Sequence, residues 1–130
     1  MNLEIIYDNE ILYRVIRKSY PDGFIDGKPT AALFIDAKGV SVDRDGGREE
    51  KSIIDNFIKR FEKNDDYGNA VKIEAGKCRE IGTYPNPVGN KKNIYHAEIH
   101  ESKDVKEISF LKALQLANEC VVVSSYENII

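Results

Sequence analysis

Ile11-Leu12-Tyr13-Arg14-Val15-Ile16-Arg17 is dense in β-branched and aromatic residues. Such side chains are stiff in a helix and pack well on a pleated surface, so the run predicts a β-strand. Alternation puts Leu12, Arg14 and Ile16 on one face and Tyr13, Val15 and Arg17 on the other. The leucine and isoleucine mark the first face as the buried one, which sets a guanidinium among apolar side chains. A buried arginine requires acidic or carbonyl partners, and this makes Arg14 a candidate functional residue; a snorkelling side chain on an edge strand is the alternative.

Beyond this strand, Tyr20-Pro21-Asp22-Gly23 and Asp26-Gly27-Lys28-Pro29 hold turn formers and predict a long surface loop. Residues 31–35 read as an apolar strand, Ala37-Lys38-Gly39 as a hairpin turn, and Val40-Ser41-Val42 as its antiparallel return. A charged loop, Asp43-Arg44-Asp45-Gly46-Gly47, leads into a helix over about 49–63. There Ile53, Ile54, Phe57, Ile58 and Phe61 recur at three- and four-residue intervals and form one apolar stripe.

Turn formers at 64–69 end that helix, and short strands are expected at 71–74 and 79–84. Pro85-Asn86-Pro87 is read as excluding regular structure. A strand over 93–100 and a final helix over about 105–119 follow, the helix burying Ile108, Leu111 and Leu114 before a last apolar segment at 121–123. Strands come mostly in neighbouring pairs without regular βαβ alternation. The expected class is α+β, a mostly antiparallel sheet of about five to seven strands with two amphipathic helices packed on it.

With 130 residues, 42% of them hydrophobic, the chain can build one core, and a single domain over 1–130 is expected. Acidic residues number 22 against 19 basic ones, a net charge of -3, so there is no general attraction for nucleic acid or an anionic membrane. Its apolar runs are far shorter than the roughly 20 residues a membrane span needs. Met1-Asn2-Leu3-Glu4 does not read as a secretory signal, and a cytoplasmic location is expected. Cys78 and Cys120 have no zinc or Cys-x-x-Cys spacing. Cys120 reads as a buried small hydrophobe, whereas Cys78, between Lys77 and Arg79, would be a reactive thiol only if exposed.

The chemistry concentrates in Tyr95-His96-Ala97-Glu98-Ile99-His100, which holds both histidines of the chain. On a strand, His96, Glu98 and His100 share one face, and residues two apart lie about 6.6 Å from each other along the backbone. Two imidazoles and a carboxylate could then converge on a divalent metal, with Asp43 or Asp45 as a further ligand. Without metal, one histidine oriented by Glu98 could serve as general acid or base, with Arg14 or Arg44 holding a phosphate. A solvated strand face alternates polar residues in the same way, so the pattern has a purely structural alternative. It is not the helical His-Glu-x-x-His of metalloproteases.

Other motifs are weaker. Asp43-Arg44-Asp45-Gly46-Gly47 lacks the later ligands of a calcium loop and fits a tight strand-to-helix turn. Lys91-Lys92, flanked by Tyr84 and Tyr95, is a small basic and aromatic surface for single-stranded nucleic acid, or simply a solvated loop. Ser41, Ser124 and Ser125 have no nucleophile context, and no cofactor-binding motif is present.

The succession Tyr13-Arg14, Ala32-Leu33-Phe34, Val40-Ser41-Val42-Asp43-Arg44 and His96-Ala97-Glu98-Ile99-His100 resembles a pattern carried by small uncharacterised bacterial proteins, over roughly residues 11–120. The resemblance implies a bacterial, intracellular, single-domain protein and carries no activity. Two functions stay open. One is a binding or interaction protein with a protein partner, such as a toxin-antitoxin, immunity or phage-defence component, because turn-rich loops suit contact. The other is a metal-dependent or histidine-assisted hydrolase of a phosphodiester or nucleotide, built on His96, Glu98, His100, Asp43 and Arg14. A concave pocket joining the histidines to Arg14, Asp43 or Arg44 would separate them.

Overall fold

The structure, a computed structural model, describes residues 3–123. The expected first strand forms as β1, Ile11–Arg17. After it come the two-residue strands β2 (Phe24–Ile25) and β3 (Lys28–Pro29), which pair with each other, and then β4 (Val40–Arg44). Helix α1 spans Glu50–Phe61, β5 Tyr67–Glu74, α2 Ala75–Ile81, β6 Tyr84–Pro87, β7 His96–His100, α3 Phe110–Glu119 and β8 Val121–Val122. Six of the strands make one antiparallel sheet in the order β6-β7-β4-β1-β5-β8. The class is therefore α+β, with three helices and a small second sheet. Among the described residues no helix is long and apolar enough to cross a membrane.

Each face of the sheet carries its own core. Leu12, Ile16, Val40, Val42, Val71, Ile73, Ala97 and Ile99 pack beneath Phe34, Ile108, Ala113, Leu116 and Ala117. Tyr13 and Ala70, on the opposite face, pack with Val123 and with the α1 stripe residues Ile53, Ile54 and Phe57. The helix over 49–63 is thus borne out at its centre, because its stripe has a sheet face to cover.

Several local expectations fail for identifiable reasons. Residues 31–35 are not a strand: Ala31–Phe34 is a 3-10 turn lying against α3, so the expected hairpin is absent and β4 pairs with β1 and β7 instead. A short apolar run has no periodicity with which to choose between the two states, and tertiary packing decides. Likewise 79–84 is not a strand. Ala75 and Cys78 are spaced for one buried helical face, and Gly82, at φ +100°, caps that helix in the left-handed conformation.

Pro85 and Pro87 do not exclude regular structure, because β6 is the edge strand and a missing N–H costs nothing on its open side. The last helix begins at Phe110 rather than near 105, and its buried face is Ala113, Leu116 and Ala117. Ile108 is buried ahead of it, whereas Leu111 and Leu114 are exposed.

One buried ion pair ties the start of the chain to the sheet. Arg44 is 1% exposed and Glu10 6%. Their contact is bidentate, Nε to Oε2 at 2.8 Å and Nη2 to Oε1 at 2.6 Å. The same guanidinium donates to the backbone carbonyls of Leu3 and Ile5, so its fork is spent on protein groups. Because removing one partner leaves an uncompensated buried charge, Glu10→Ala should cost about 3–5 kcal/mol. The double replacement Glu10→Leu with Arg44→Met should cost markedly less; urea unfolding of both variants checks the order.

Candidate ligand cleft between two diverging strands

Strand β1 pairs with β5 along its whole length, from Ile11 opposite Glu74 to Arg17 opposite Tyr67. With β4 it pairs at only two positions, Leu12 with Arg44 and Tyr13 with Asp43. Continuing that register would match Arg14 with Val42 and Val15 with Ser41, and neither pair forms. The sheet opens there, and the Arg14 side chain bridges the opening. Its Nε donates to the Leu33 carbonyl at 2.7 Å and its Nη1 to the Ser41 carbonyl at 2.8 Å. Arg14 is half-buried, and both of its hydrogen bonds go to backbone carbonyls, one of them on β4 itself.

A cavity of about 630 Å³ occupies this opening. Tyr13, Arg14, Val15 and Arg17 of β1 line it on one side, Ser41, Val42 and Asp43 of β4 on the other, and His96 of β7 at its edge. Phe57, Arg60 and Phe61 from the end of α1 form one wall; Tyr20, Pro21, Asp22, Leu33, Ile35 and Asp36 from the loop after β1 form another. Its size suits a small organic ligand, and its mixture of aromatic surface with a few polar groups is typical of such sites.

Half of the charged residues lining the cavity are ion-paired. Arg17 meets Asp66 at 2.6 Å, and Arg60 meets Asp43 at 3.0 Å. Each of these arginines also lies over aromatic rings, Arg17 over Tyr20 and Phe61 at 5.5 and 5.3 Å and Arg60 over Phe57 at 4.9 Å. Arg14 has no carboxylate within ion-pair distance among the described residues, and its Nη2 has no protein partner there. Burial pulls the Arg14 guanidinium down to about 10, with Asp36 opposing and Arg17 adding, so it remains a cation at neutral pH.

The residues singled out from the sequence are only partly brought together. His96 and Asp43 are opposite each other in the β7–β4 register, and both line the cavity with Arg14. Glu98 and His100 share the face of His96 but belong to a neighbouring arrangement: His100 is buried, and its Nε2 lies 2.8 Å from Glu98 Oε1. Glu98 Oε2 is 4.0 Å from His96.

Among the described residues no group of three His, Cys, Asp or Glu side chains is placed to hold a metal ion. The expected metal set of His96, Glu98, His100 and Asp43 therefore does not assemble. Asp43 is turned to Arg60 and Asn93, and Glu98 to His100.

Arg44 is likewise withdrawn from any anion by Glu10. Asp45 serves locally, accepting the Ile11 N–H at 3.2 Å. Gly46 and Gly47 take positive φ in the turn before α1, and Gly46 admits Tyr95, whose ring lies 3.8 Å from Arg48. Burial pushes the Cys78 thiol up to about 12 and the Cys120 thiol up to about 11. Cys78 is buried, so the exposure that a reactive thiol there would need is not met. Cys120 is half-buried rather than enclosed, and Ser124 and Ser125 lie outside the described residues.

Arg17, Arg60, Tyr20, Asp36 and Phe61 of the cavity were not foreseen. Their partners lie far off in sequence, as with Arg17 and Asp66, and no local spacing signals such meetings. Comparison with known proteins finds no family model, no curated protein and no solved structure that matches the chain.

The cavity rim has a pH dependence of its own. Burial raises Asp66, but the Ser19 N–H at 2.7 Å, Arg17 and the Ser19 hydroxyl outweigh it and hold this carboxyl below its ordinary value. A depressed carboxyl stabilises the fold above its unfolded pKa, and that contribution is lost as pH falls through the folded value. The urea midpoint of the native chain should therefore fall as pH drops through and below the ordinary carboxylate range, and Asp66→Asn should flatten that decline.

Proposed function

We propose that the chain is a ligand-binding protein whose site is the opening between β1 and β4, with Arg14 as the anchor for an anionic group. The observation that carries this reading is Arg14 itself. It is a cation fixed by two backbone carbonyls, without a carboxylate partner among the described residues, lining a cavity with aromatic walls. A guanidinium held this way loses little conformational freedom when it meets a carboxylate or a phosphate oxygen, which favours binding.

The wider lining argues against a polyanion. Three arginines, Arg14, Arg17 and Arg60, face three aspartates, Asp22, Asp36 and Asp43. A nucleic-acid backbone or a triphosphate would require excess positive charge that this balance lacks.

Benzoate, a small anion with a flat ring, is a suitable probe. Titrated into the labelled chain, it should perturb the Arg14 Nε–H and the Ser41 and Tyr20 amide resonances. Arg14→Met should abolish these shifts, and Arg14→Lys should weaken binding about tenfold because the planar fork is lost. Shifts confined to surface lysines, or unchanged in Arg14→Met, would contradict the assignment.

One observation favours a second reading, histidine-assisted hydrolysis of a phosphodiester: His96 and Asp43 share the cavity with Arg14. Turnover of bis(p-nitrophenyl) phosphate that disappears in His96→Ala would support it. Benzoate binding without turnover would support the binding role alone.

A further inference from the structure

Once the internal ion pairs are set aside, the cavity keeps charges of both signs. Arg14 is its uncommitted cation. Asp36 has no ion pair among the described residues, its Oδ1 accepting only the Lys38 N–H at 2.8 Å. The Asp22 carboxylate has neither hydrogen bond nor ion pair there. Asp36 and Arg14 are close enough to influence each other electrostatically, yet farther apart than the 4.0 Å of an ion pair.

A guanidinium and a carboxylate held apart in one cavity complement a ligand whose own anion and cation are separated by a short spacer. Phe57 and Phe61 also line the cavity from α1, beneath Arg60 and Arg17 respectively. A purely anionic ligand would face Asp36 and Asp22 as like charges, and a purely cationic one would face Arg14.

We propose that the cleft binds a zwitterion of the amino-acid type, its carboxylate on Arg14 and its ammonium on Asp36. The proposal rests on the cleft being the binding site, and it adds the requirement for a cationic group on the ligand. An ammonium on Asp36 makes a charge-assisted hydrogen bond at a partly screened rim, so its removal should weaken binding about tenfold.

The test titrates the full chain with the free protein amino acids, and with the N-acetyl and decarboxylated forms of any that bind, by calorimetry and by resonance shifts at Arg14. At least one amino acid should bind about tenfold tighter than either modified form. Asp36→Asn, a change at an exposed position, should erase the preference over the N-acetyl form.

Equal or tighter binding of the N-acetyl form would overturn the zwitterion while leaving an anion site at Arg14. Failure of every amino acid to bind, while benzoate still shifts Arg14, would overturn it in the same way. Failure of benzoate and amino acids alike to reach Arg14 would remove the cleft reading itself.

Discussion

The pairing of β1 with β4 stops after Tyr13 and Asp43, and that break shapes the rest of the molecule. Where two strands part, the backbone groups they no longer share need partners from elsewhere, side chains or solvent. Arg14 supplies one such partner, donating to the exposed Ser41 carbonyl of β4, and its Nε also donates to the Leu33 carbonyl of the neighbouring 3-10 turn. The 3-10 turn Ala31–Phe34 is thereby drawn against the opening, where it stands between the sheet and α3. One side chain thus spans the gap.

Around that opening the structure is braced by committed charges. Glu10 and Arg44 hold the chain before β1 beside the last paired positions, and their bond is dry and bidentate. Asp66 gathers Arg17 and Ser19, which fixes the loop that forms one wall. Asp43 gathers Arg60 and Asn93, which fixes the end of α1 against β4. These pairs commit Arg17, Arg60 and Arg44 and leave Arg14 apart from them.

How much of this is legible in the sequence depends on range. Local patterns reached β1, the α1 stripe, the histidine strand and the α+β class, because period and β-branching act within a few residues. The need for carbonyl or acidic partners at Arg14 followed from a charge between Leu12 and Ile16. Which carbonyls, and that they belong to Leu33 and Ser41, depended on strand order, which no local signal encodes. The stretch around Ala31–Phe34 was misread for the same reason: a short apolar run is apolar in either state, and the opening beside β4 selects a turn there.

Of the histidine cluster, the shared strand face was legible, but the division that assigns His96 to the cavity and His100 to Glu98 was not.

A map of nuclear Overhauser contacts between β1 and β4 tests the central claim most directly. It should show cross-strand contacts at the Leu12–Arg44 and Tyr13–Asp43 pairs, none continuing to Arg14–Val42 and Val15–Ser41, and an Arg14 Nε–H protected from exchange. Continuous cross-strand contacts through Val15 and Ser41, with a freely exchanging Arg14 side chain, would show a closed sheet and contradict the account.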